Sequence, residues 1–301
     1  MASQSLINPD PMLPPELEHR IFEIAAIAHP DSIPSLMLVA CRVKDWVEPL
    51  LYRTILLSSE GRELSPSLGP PNLTDDMLQG LIKERSPTFF FHIKNLFIDY
   101  TVDSSTVECC LAACTGVTNL FLQRSLASAD HVVQRLGAIR GVQFLTIDVR
   151  AILEPLSNGS LHFFLLAVTH LELLEMDNLR SAEEERVCAS LALIPRLSHV
   201  ALNPGLHDTV SHAGLHADTR LQCIVFFPPG PYSVEPTDPL FDDSRFVCIE
   251  QSVNYRLDWI RGATSGDDCW ALADEFIAAR RAGRVDRTRL YIVDTDQSWR
   301  T

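Results

Sequence analysis

Ile93-Lys94-Asn95-Leu96-Phe97-Ile98 sets the pattern of this chain. The same apolar triplet returns as Val117-x-x-Leu120-x-Leu122, Val142-x-x-Leu145-x-Ile147 and Val168-x-x-Leu171-x-Leu173. Leu197-x-x-Val200-x-Leu202 and Leu221-x-x-Ile224-x-Phe226 continue the series, and Phe246-x-x-Ile249 reads as a degenerate seventh copy. Successive first positions lie 24, 25, 26, 29 and 24 residues apart. A period in the twenties predicts stacked units, each giving one strand and one crossing helix that cannot bury their apolar sides without the next unit. Helix-compatible stretches fill the gaps at 107–113, 128–139, 160–167 and 181–194. The last opens with the capping-box pattern Ser181-Ala-Glu-Glu184 and is closed by Pro195.

The L-x-x-L-x-L copies over residues 88–250 resemble leucine-rich repeats. The family's Asn or Cys is replaced here by Thr101, Ser125, Arg150, Met176 and Gly205, so a regular Asn ladder is not expected. The expected fold class is α/β: a short N-terminal α-helical segment, then a leucine-rich-repeat-like solenoid with a parallel sheet. Alternation within the strands turns Leu96 and Ile98 inward and sends their neighbours to the concave side. The candidate target-binding residues on that face are Phe97, Asp99, Phe121, Gln123, Thr146, Asp148 and Glu172, with Phe97 and Phe121 stacked. The other reading has the phenylalanines covered by the 58–71 loop or the 74–85 helix, extending the core.

Upstream, Leu13-Pro-Pro-Glu-Leu17 opens a helix with proline in its first turn, where no hydrogen bond is lost. Leu17, Ile21, Ile24 and Ala28 recur at helical spacing, widened by Phe22 and Ala25, and a second helix carries Leu36, Val39, Val43, Trp46 and Val47. The order Leu13-Pro-Pro-Glu-Leu17, Ile21-Phe22, Val39-Ala-Cys41 to Trp46 and Tyr52-Arg53 resembles an F-box of the kind found in many fungal proteins. That resemblance implies docking on the Skp-type adaptor of a cullin ubiquitin ligase. By motif match the docking residues are Leu13, Pro14, Leu17, Ile21, Phe22, Val39, Val43 and Trp46. The alternative is that the same stripe packs back on the repeats as an N-terminal cap.

The remaining expectations are mostly exclusions. With 39 acidic and 25 basic residues the net charge of −14 disfavours nucleic acid, and no apolar run is long enough for a membrane span. No secretory leader is recognisable at the N-terminus, so the expected location is cytoplasmic or nuclear, with the eight cysteines as buried thiols. His207, His212 and His216 have helical spacing but no accompanying ligand, and Arg280, Arg281, Arg284, Arg287 and Arg289 read as a helix end. No metal, cofactor or catalytic motif is expected, although a site with converging carboxylates or histidines would reopen the enzyme reading. The expected partners are the adaptor and an unidentified protein substrate. Expected boundaries are a disordered tail at 1–11, an F-box-like segment at 12–56, a flexible loop at 57–73, the solenoid at 74–254 and a helix-and-strand cap at 255–301.

Overall fold

The apolar triplets become adjacent strands. The computed structural model describes residues 13–59, 70–126, 130–153, 163–176, 178–230, 232, 234–251 and 255–300. Strands β1 (Thr54–Leu57), β2 (Asn72–Leu73), β3 (Asn95–Ile98), β4 (Asn119–Leu122), β5 (Phe144–Asp148), β6 (His170–Leu174), β7 (His199–Leu202), β8 (Cys223–Phe226), β9 (Phe246–Glu250) and β10 (Tyr291–Val293) form one ten-stranded sheet. Its order is β10-β9-β8-β7-β6-β5-β4-β3-β1-β2, and every pair is parallel. Leu96, Leu120, Leu145, Leu171, Val200 and Ile224 share one register row. Strands β4 to β8 start with the same device: the Lys94 carbonyl accepts the N–H of both Thr118 and Asn119. Thr118, Gln143, Thr169 and Ser198 repeat it with the next strand.

The seventh copy is out of the expected alignment. Ile224 pairs with Phe246 and Phe226 with Cys248, so the unit reads Asp243-x-x-Phe246-x-Cys248. Asp243, buried and held by Arg245 at 2.6 Å, occupies the first position where an aliphatic residue was expected.

Parallel strands need crossover connections, and helices provide most of them. These are α4 (Asp75–Glu84), α5 (Pro87–Phe91), α6 (Ser104–Ala113), α7 (Asp130–Leu136), α8 (Arg150–Leu153), α9 (Ser181–Ala192) and α10 (His212–Ala217). Thr74, Asp103 and Ser211 cap α4, α6 and α10 by accepting N–H groups of the first turn. The expected capping box of α9 is shifted by one residue: Ser181 is already helical, and Glu183 accepts the backbone N–H of Arg180 at 2.8 Å. In place of an Asn ladder, Asp99 and Asp148 each accept the N–H two residues on, and Asn203 accepts that of Glu175.

The C-terminal stretch holds two helices where the sequence suggested one, α11 (Tyr255–Ser265) and α12 (Cys269–Arg281), joined through Gly266 at φ +80°. Asp268 caps α12, which packs on β8 and β9 and buries Trp270, Phe276 and Ile277 against Val225, Val247 and Ile249. β10 extends the sheet beyond β9 as an edge strand, but α11 and α12 lie across a sheet face rather than closing an edge.

A separate unit of helices comprises α1 (Pro15–Ala28), α2 (Ile33–Leu36) and α3 (Cys41–Val47), with 3-10 turns at Pro30–Ser32 and Glu48–Tyr52. Ala26, Ile33, Val43 and Val47 form its small core, with Phe22, Leu36, Trp46, Leu50 and Leu51 packed around. Glu18 and Arg42 tie α1 to α3 through two hydrogen bonds of 3.1 and 2.8 Å. The helical part of the unit ends at Arg53, and the β-prone Thr54–Leu57, of which the expected boundaries gave 54–56 to the F-box-like segment and Leu57 to the loop, is strand β1 of the sheet. Asn72–Leu73, expected inside the flexible loop, is strand β2. The 1–11 tail and most of that loop lie outside the described residues. Among the described residues no helix is long and apolar enough to cross a membrane.

Candidate functional site

Helix α1 is apolar on two sides. Phe22, Ala25 and Ala26 turn into the helical unit, while Leu17, Ile21 and Ile24, each 53% exposed, turn outward. Leu13 and Pro14 just before the helix are exposed as well. On the following segment Leu38 is 87% and Val39 60% exposed. The eight residues matched to the docking motif therefore divide. Leu13, Pro14, Leu17, Ile21 and Val39 are open to solvent. Val43 is fully buried, Phe22 packs on it, and Trp46 stacks on His19 with ring centroids 4.8 Å apart. Val43 belongs to the core of the unit, and Phe22 and Trp46, partly buried, pack against it.

The expected concave row lies on one sheet face as alternation predicted, and Phe97 and Phe121 do stack, with centroids 4.5 Å apart. The face is not open. Phe97 and Phe121 are each 2% exposed, and Thr146, Asp148 and Glu172 are buried. In the described contacts α11 and α12 account for this and α4 does not; residues 60–69 of the loop lie outside the described residues. Trp259 meets Phe97 edge-on at 5.5 Å and donates from Nε1 to Asn119 Oδ1 at 3.0 Å. Asn95 Nδ2 donates to the Ala263 carbonyl at 3.2 Å, and His199 Nε2 pairs with Asp274 Oδ1 at 3.2 Å. Asp99 and Gln123, at the strand ends, stay half-buried.

Under the two helices three carboxyls converge: Glu172 from β6, Asp258 from α11 and Asp268 at the start of α12. They line a cavity of about 30 Å³ with Thr146, Tyr255, Cys269 and two tryptophans. Glu172 accepts from Thr146 Oγ1 at 2.9 Å, while its Oε1 has no hydrogen-bond partner. Burial, with Asp258 and Asp268 nearby, pushes Glu172 up to about 8. Burial raises Asp258 and lifts Asp268 to about 6. A cavity of this size admits about one water molecule, and Asp268 also lines a larger cleft beside it.

The other marked residues are dispersed. His212 pairs with Asp238 at 2.6 Å, His216 with Asp243 at 2.9 Å and His207 with Asp208 at 3.3 Å. No group of histidine, cysteine or acidic residues among the described ones could hold a metal ion. Cys41 and Cys109 are exposed and Cys188 is intermediate, contrary to the expectation of buried thiols throughout. Arg280 is buried and donates to the Phe246 carbonyl at 2.6 Å, so it belongs to the core and not to a solvated helix end.

No family model matches this chain, and a search of curated proteins finds no match either.

Proposed function

We propose that the chain is a non-catalytic substrate receptor of a Skp-cullin-F-box ubiquitin ligase, with an F-box-like helical unit followed by a leucine-rich-repeat-like solenoid. The observation that carries this reading is the outward stripe of α1. Leu17, Ile21 and Ile24 are uncovered although Phe22, Ala26 and Val43 already supply the core of the unit. Fully burying one Leu or Ile stabilises a complex by about 1.5–3 kcal/mol, so a few such side chains suffice for an adaptor interface. The repeated period and the shared register row support the solenoid reading of the sheet.

The target is held by the sheet-bearing unit. Because α11 and α12 fill the face of Phe97, Phe121, Thr146 and Glu172, a target meets the strand ends near Asp99 and Gln123 or the outer surfaces of those helices. The complex works by proximity, with the adaptor at one unit and the target at the other.

Capture of a purified Skp-type adaptor tests the docking step. The Leu17→Asp, Ile21→Asp double variant is expected to lose at least tenfold in affinity with an unchanged melting curve, because both side chains face water. Trp46→Ala is expected to lose capture together with helical structure, since Trp46 packs on the unit's core. Undiminished capture by the double variant, or no capture by the wild type, overturns docking and leaves an interaction scaffold without a ligase.

A further inference from the structure

The first residues of β3, β4, β5 and β6 and the α11–α12 turn enclose a cleft of about 310 Å³. Phe144 and His170 lie in its wall as stacked rings 4.3 Å apart, and His170 stacks onward on His199 at 4.0 Å. Trp270 stands edge-on to His170 at 5.3 Å and 77°. Asp268 and Asp274 face the same space, with Asn95 and Asn119 beside them. Among the described residues no lysine or arginine lines it. Burial holds His170 down at about 3, so the ring is neutral; Phe144 and His199 cover its two faces and it meets the cleft with its edge. The hydrogen bond from His199 keeps Asp274 below the usual carboxylate range and therefore ionised. Gly262 lets α11 approach closely: a Cβ there would stand 2.4 Å from Asp268 Oδ2.

We propose that this cleft binds an organic cation, an alkylguanidinium or alkylammonium group. The charge lies against Asp274 and Asp268, and the stem against Phe144, His170 and Trp270. An anion would face two carboxylates, whereas a cation adds a counter-charge to the cap of α12 at Asp268 and the His199 pair at Asp274. The volume is at the lower end of small-molecule sites, roughly 300–1,000 Å³, and suits one arginine-sized group. The inference rests on the cleft alone and stands or falls separately from adaptor docking.

The cation can arrive as a free amine or as the side chain of a bound protein, and calorimetric titration of the full chain distinguishes the two. The probes are agmatine, N-acetyl-arginine amide, an arginine-centred pentapeptide and N-acetyl-citrulline amide, the neutral isostere. The guanidinium compounds are expected to bind and to change Trp270 fluorescence, with the citrulline compound at least tenfold weaker. Tighter binding of the peptide than of agmatine assigns the group to a protein, and the reverse order assigns it to a free amine. Asp274→Asn, which leaves an acceptor for His199, is expected to weaken binding about tenfold with the melting curve retained. Equal affinity for the arginine and citrulline compounds, wild-type affinity in Asp274→Asn, or no heat and no fluorescence change at millimolar ligand overturns the proposal.

Discussion

Glu172 is buried, accepts one hydrogen bond from Thr146 and has Asp258 and Asp268 as its charged neighbours, with Tyr255 and Cys269 beside them. Its carboxyl titrates at about 8 in the fold against an ordinary value of 4.5. Below that ordinary value both folded and unfolded chains hold the proton, and the stabilisation is complete. Between the two values the unfolded chain ionises while the fold keeps its proton, so stability falls as pH rises. Asp258 and Asp268 are raised in the same direction, the latter to about 6. His170, held at about 3 by burial, opposes this up to its ordinary value of 6.5, because only the unfolded chain takes up that proton; with three carboxyls against one imidazole the thermal midpoint is still expected to drop from pH 5 to pH 8. Glu172→Gln, which retains an acceptor for Thr146, should flatten that drop and stabilise the chain at pH 8 by a few kcal/mol, at about 1.4 kcal/mol per pKa unit. A pH profile that Glu172→Gln leaves unchanged would show that Glu172 does not keep its proton in the fold over this range.

At the scale of elements, α11 and α12 decide what the sheet can present. Trp259 and Trp270 are their main anchors, touching Phe97 and His170. Trp270→Ala is expected to cost about 3–5 kcal/mol and to raise amide exchange in β4 to β7 selectively, read by mass spectrometry. Uniform exchange across the chain would contradict a local role. Helix α12 was legible from Asp267-Asp268, its apolar spacing and Gly283, but α11 was not. Its inward positions are Tyr255, Asp258, Trp259 and Gly262, while Leu257 points outward, so a carboxyl and a glycine interrupt the helical period. The strands were legible because each carries two buried aliphatic residues at fixed spacing, and alternation gave the correct face for Phe97 and Phe121. Whether that face was covered was harder to read. The available signal was in β7 to β9, where His199–Leu202, Cys223–Phe226 and Phe246–Glu250 are apolar at nearly every position, as strands buried on both faces are. In the helical segment the sequence identified the stripe but could not separate core from surface, because α1 is apolar on both sides.

For the whole molecule, the boundary at Arg53 makes a sharp prediction about truncation. A chain begun at Thr54 keeps β1, whose Leu57 carbonyl accepts the Asp99 N–H and whose Thr54 hydroxyl accepts from Asn95 Nδ2 at 2.9 Å. A chain begun at Ser58 loses those bonds and bares the edge of β3. The shorter chain is expected to melt roughly 5–10 °C below the longer one by circular dichroism, and equal midpoints would contradict the assignment of β1 to the sheet. The sheet ends in β2, with two residues, and in β10, with three. A parallel array of this width carries a hazard, since unpaired backbone at either margin can recruit another chain and propagate as a fibril. Margins this brief give a foreign strand almost nothing to zip onto, so copies of the protein can crowd together without templating one another.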